Sequence, residues 1–253
     1  MNTLLLSLVS GVFIGAAAGY LGTLMLSRRM ALVAGPLGHL TLPGIALALL
    51  WDLDVSIGAF PFVILGAIII WILERNTRLP MEALTAVVFA SGVAIAFLFL
   101  PMAQAEAALV GDISRIGLGG TALSVVASIA IMLMLRRAFP QLILANISEE
   151  LAASEGISVR RYNLLYLFLI AVIVALGVKM VGGLLTAALV AIPPCAARNL
   201  GRNLRQYTLV SIAAGAGSAA LGVALSMLVG LPAGPLIVVV SGALFLGTVL
   251  FAK

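Results

Sequence analysis

At 253 residues, with 63% hydrophobic and 9% charged side chains, the chain carries more apolar surface than one soluble core can bury; soluble domains run at about 45–50% apolar and about 25% charged. That excludes an ordinary soluble enzyme and a disordered chain, and the single cysteine, Cys195, excludes an intrachain disulfide scaffold. The net charge of +5 sits at the ends of apolar runs, not in a basic patch with interleaved aromatics, so it suits lipid headgroups and topology and speaks against nucleic acid.

The first apolar run, 3–27, lacks a positive n-region and outlasts a signal-peptide core, so it reads as a retained first span. Its Gly11, Gly15, Gly19 and Gly22 share one helix face and permit close helix packing. The second run, 31–51, contains Gly35, Pro36, Gly38, His39, Pro43 and Gly44, which predicts a broken or kinked span. Runs 56–73, 83–100 and 118–135 follow. The stretch 136–162 is the longest interruption, expected in the cytoplasm, and the outer loop 101–117 is the next longest. Runs 163–178 and 180–197 are separated by a break at Gly177, Lys179, Gly182 and Gly183, because one helix over both would far exceed a bilayer core of about 30 Å. Pro193 and Pro194 are expected to kink or end the seventh span, and Cys195 beside them to pack. Runs 207–229 and 235–252 complete the chain.

These runs predict an all-α polytopic membrane protein, one transmembrane domain over 1–253, with about nine transmembrane helices. Eight crossings plus a re-entrant helix is the alternative. Threading nine places twelve of the Lys and Arg residues on one side and only Arg115 and Lys179 on the other. The positive-inside rule then sets the N-terminus outside and the C-terminus in the cytoplasm. Lys179 at the outer interface can snorkel to the headgroups.

No nucleotide site is readable, since neither G-x-x-x-x-G-K-S/T nor G-x-G-x-x-G occurs between a strand and a helix. Zinc-type H-E-x-x-H and paired C-x-x-C spacings are absent, and a Ser-His-Asp triad would have to use the one histidine. The chain therefore reads as a membrane protein without a nucleotide, catalytic or cofactor site of its own. His39, the one histidine, lies inside an apolar run beside irregular backbone. Such a group either faces a pathway, where imidazole ligates a transition metal or takes a proton, or hydrogen-bonds a neighbouring helix. The stretch 146–157 reads as a short amphipathic helix, with Ser148 as cap, Glu149 and Glu150 in the first turn and Gly156 as stop. It is either a solvated connector or a helix that docks a cytoplasmic partner. Glu106 and Asp112 are candidates for drawing cations to the outer mouth, or simply solvated loop residues.

The sequence resembles the membrane subunits of ATP-binding-cassette importers for zinc, manganese and iron. The resemblance is carried by Gly38-His39 with Leu42-Pro43-Gly44, and by Leu109-Val110-Gly111-Asp112-Ile113. Ser148-Glu149-Glu150 with Ala152 and Gly156-Ile157 carries it further, as does Lys179 to Gly182 with Leu185, Ala188, Leu189, Pro193 and Ala197. It implies a cell (inner) membrane protein of a prokaryote that pairs with a second copy of itself. It also implies a cytoplasmic ATPase that holds ATP and magnesium, and an extracytoplasmic metal-binding protein. By the same resemblance, Ser148, Glu149, Glu150, Ala152 and Gly156 couple to the ATPase and His39 lies near the translocation path. Family members usually carry an aspartate four residues before this histidine, and here that position is Gly35. Two His39 side chains without carboxylates suit zinc better than manganese, which prefers harder oxygen ligands. The competing expectations are the same architecture with a non-metal substrate, and a self-sufficient secondary transporter or channel.

Overall fold

The computed structural model describes residues 2–28, 30–51, 55–77, 79–99, 113, 116–183 and 185–251. Among them are eleven α-helices: α1 (Asn2–Ser27), α2 (Ala34–His39), α3 (Thr41–Leu50), α4 (Val55–Asn76), α5 (Met81–Phe99), α6 (Leu118–Ile147), α7 (Glu149–Ser154), α8 (Val159–Val181), α9 (Thr186–Leu200), α10 (Leu204–Val229) and α11 (Ala233–Val249). A 3-10 turn, Ala31–Val33, leads into α2. Five segments are long and apolar enough to cross a membrane, those in α1, α4, α6, α8 and α10; α5 and α11 contribute shorter apolar stretches. With no water in a bilayer core, only closed backbone hydrogen bonding is tolerated there, and helices supply it.

α8 occupies the centre. Of its apolar window 72% is buried, against 28% in α4, α6 and α10, which turn side chains such as Leu65, Val126 and Leu228 outward. α1 packs most extensively against α10 and also meets α6 and α9. The glycine face expected on α1 is the reason. Gly15 lies against the backbone of Gly215 and Gly19 against that of Ser211, so a Cβ at either α1 position has no room. Ser211 Oγ donates to Gly19 O at 2.6 Å across this contact.

Side-chain contacts tie the helix ends together. Ser7 Oγ donates to Ile113 O at 3.0 Å, joining the start of α1 to the segment before α6. At the far end of α1, Arg28 reaches the carbonyl of Leu142 near the end of α6 and Asn163 near the start of α8. Lys179 sits beside Gly120 at the start of α6, at the opposite end from Arg28.

Several expectations are corrected. Residues 136–147 are not an interruption: α6 runs on through Pro140 to Ile147. Its 30 residues, about 45 Å of helix, outreach a bilayer core of about 30 Å and carry Arg136 and Arg137 beyond the apolar run. The short helix is confined to Glu149–Ser154. Pro193 and Pro194 do not end α9, which continues to Leu200. They are the eighth and ninth residues of a 15-residue helix and both are buried, so neighbouring packing holds the chain helical. Of the four residues expected to break the sixth and seventh runs, Gly182 and Gly183 do so, Gly182 at φ 85°, while Gly177 and Lys179 lie within α8. α9, about 22 Å long, is thus shorter than its run and than a bilayer core.

Candidate functional site

The predicted interruption of the second run is present. α2 ends at His39, Leu40 follows, and α3 begins at Thr41. The chemistry is local. Pro43 has no N–H to offer the carbonyl of His39 four residues back. Thr41 Oγ1 instead turns back to donate to Gly38 O at 2.6 Å. Leu40 wedges its two methyls between α4 and α5, one against Gly66 and the other against Gly92. Side chains at those two positions would expel it, so the glycines fix the rotation of the joint. Leu40 is 5% exposed.

His39 is half-buried, and its ring lies against Phe89 of α5, centroids 5.5 Å apart and planes at 41°. Gly35 stands one turn earlier on the same face of α2. A Cβ there would meet Ala187 Cβ, in the first turn of α9, at 3.3 Å. Gly38 faces the carbonyl of Gly183, in the break before α9. Two interrupted segments therefore meet beside the histidine, and irregular backbone at membrane depth is tolerated only where protein or a water-filled cavity covers it. Among the described residues, no group of three or more His, Cys, Asp or Glu converges. Glu106 and Asp112 lie outside the described residues.

The second candidate region is at the arginine-bearing end. Ser148 is the cap the sequence predicts: its Oγ accepts from Leu151 N at 3.1 Å. Glu149 and Glu150 fill the first turn, where the helix dipole favours acids. Gly156 takes φ 75°, a left-handed conformation in which a side chain would be strained, and reverses the chain after α7. Ala152 is fully buried and seats α7 against α6 and α8. Its other side is open. Leu151 is 48% exposed, between the two glutamates and Glu155, and Ile147, the last residue of α6, is 73% exposed.

Beneath α7 lies a network that sequence reasoning misses. Arg28 Nη1 donates to Asn163 Oδ1 at 3.0 Å and Nη2 to Leu142 O at 3.2 Å, with the guanidinium 4.7 Å over the Tyr166 ring. Asn163 Nδ2 donates to Glu74 Oε1 at 3.1 Å. Trp71 Nε1 donates to Arg160 O at 3.4 Å and Asn146 Nδ2 to Ser27 O at 3.4 Å. The network borders a cavity of about 320 Å³, also lined by Ser148 and Glu149. Asn163 at the very start of an apolar run was the available signal, since a polar residue there that is 9% exposed must find partners.

Comparison with known proteins fits this layout. The manganese import system permease protein ScaB of Streptococcus gordonii is 28% identical over 244 residues, covering 95% of this chain and 88% of that protein. The high-affinity zinc uptake system membrane protein ZnuB of Buchnera aphidicola (subspecies Acyrthosiphon pisum) is 25% identical over 244 residues, covering 94% and 93%. The solved structure of PsaBC from Streptococcus pneumoniae in complex with Fab superposes with a TM-score of 0.83 at 26% identity, covering 98% of this chain and 91% of that one. Residues 1–252 match the family described as the ABC 3 transport family. The chain belongs to that family and is a multi-pass protein of the cell membrane.

Proposed function

We propose that this chain is the membrane-spanning subunit of an ATP-driven importer for a divalent transition metal ion. Two copies pair around a path that His39 lines, an extracytoplasmic protein delivers the ion, and a cytoplasmic ATPase binds ATP and magnesium. The reading rests on relatives named for manganese and zinc, and above all on one observation: at the arginine-bearing end, Leu151 of α7 is uncovered between Glu150 and Glu155, and Ile147 is uncovered at the end of α6 just before it. An apolar pair rimmed by charge is what a partner groove takes up. Zinc is favoured over manganese because the imidazole of His39 has Gly35, not a carboxylate, one turn away.

Nine crossings, the N-terminus outside and α7 in the cytoplasm complete the proposal, on the Lys and Arg asymmetry. A cysteine placed at Ser154 on a Cys195→Ser background is expected to resist an impermeant thiol reagent in intact cells and to react once they are permeabilised. Reaction in intact cells would reverse the orientation.

Docking is tested by pull-down of the cognate ATPase. Leu151→Glu, or Glu149→Lys with Glu150→Lys, is expected to weaken binding by roughly thirtyfold, the loss typical of a central interface residue. Parent-like binding by both variants would return α7 to a solvated connector.

A further inference from the structure

We propose that Arg28, Asn163 and Glu74 form a positioning relay that carries movement of α7 into α1, α4 and α8, and so sets how much transport accompanies each ATP hydrolysed. The inference rests on the reading of α7 as the docking helix.

α7 is six residues long and packs against the end of α6 and the start of α8. Those two places are where Arg28 is attached, through Leu142 O on α6 and Asn163 on α8. Displacing α7 therefore displaces both partners of one guanidinium. The guanidinium is planar and each of its two terminal nitrogens has its own acceptor, while the buried Nε has no hydrogen-bond partner among the described residues, so the two terminal bonds carry such a displacement together. The Tyr166 ring beneath it, fully buried, blocks retreat into the bundle.

Asn163 makes the connection directional. Its oxygen faces the cation and its nitrogen faces the carboxylate. Turning the amide over would set oxygen against Glu74 and nitrogen against Arg28, so only one orientation satisfies both. Through it α1 is tied to α4, and α4 bears the Gly66 half of the slot that holds Leu40 beside His39. Glu149 of α7 lines the same cavity as Glu74, and its negative charge opposes that of Glu74.

The test is the number of ions moved per ATP hydrolysed, measured with zinc and with manganese. It uses proteoliposomes holding the permease with its ATPase and its binding protein. Asn163→Asp keeps a partner for Arg28 but turns a carboxylate toward Glu74, cutting the link to α4. Its ratio is expected to fall about fivefold or more, the range of a typical coupling energy, with the ATPase still bound and hydrolysing. Glu74→Gln keeps the oxygen that Asn163 needs and is expected to hold the parent ratio. Combining Asn163→Asp with Glu74→Gln lets the new amide donate to the new carboxylate, and the ratio is expected to recover. Melting temperatures are taken alongside. A parent ratio in Asn163→Asp, with or without a lower melting temperature, overturns the relay, and so does a double variant no better than the single. The docking reading fails separately, when Leu151→Glu and the Glu149→Lys, Glu150→Lys variant both leave the ATPase bound as in the parent.

Discussion

His39→Ala is expected to abolish metal uptake while the protein still inserts and pairs. The histidine ends α2 at a helix joint, with its ring half-buried against Phe89. Neutral imidazole is a good ligand for zinc-like ions, and alanine offers nothing in its place. If the side chain only bridged helices, its loss would instead cost about 0.6 kcal/mol, and at most about 1.7, the worth of a polar contact between membrane helices. That loss would show in the melting temperature and leave uptake in place. Zinc and manganese uptake in proteoliposomes with the cognate ATPase, beside the melting temperature of the purified protein, separates the two. Full uptake by the variant would remove the ligand role and turn attention to a substrate other than a metal ion.

Gly35→Asp is expected to raise manganese uptake relative to zinc by roughly tenfold, about 1.4 kcal/mol in relative preference. α2 sets positions 35 and 39 one turn apart on one face, so the new carboxylate joins the imidazole. The change adds an oxygen donor, and hard oxygen ligands favour manganese. Space is tight but present, with the new Cβ 3.3 Å from Ala187 Cβ. Ala187 lies in the first turn of α9, where free N–H groups favour a negative charge. Uptake from an equimolar mixture of the two ions gives the ratio directly. An unchanged ratio with normal total uptake would show that position 35 does not face the ion.

Features written within a few consecutive residues were legible in the sequence. The interruption around His39 follows from Pro43 and its glycines, the cap of α7 from Ser148, and its reversal from Gly156. The face of α1 that meets α10 follows from glycines at helical spacing. Features made by residues far apart were not. Arg28 and Asn163 are 135 positions apart, and Asn163 and Glu74 are 89 apart. In the sequence, Arg28 and Glu74 read as charges that mark span ends, and their pairing through an asparagine has no local trace. The wedge of Leu40 between Gly66 and Gly92 is hidden for the same reason. The course of α6 and α9 departs from the apolar runs because charge and proline mark the end of a run without ending the helix. A helix can outlast its apolar run, as α6 does past Arg136, and can carry prolines where packing supports it, as α9 does.

The backbone contact between α1 and α10 also bears on how the protein is made. The residues of the Ser211 to Gly19 bond are 192 positions apart, and those of the Tyr207 to Thr23 contact are 184 apart. At a synthesis rate of about 5–20 residues per second, α1 waits roughly 10–40 s in the bilayer before its main partner emerges. Until then its glycine face meets only lipid and the helices made before α10. The bundle therefore closes late, and a ribosome stalled before residue 204 leaves the first helix without the surface it was shaped to fit.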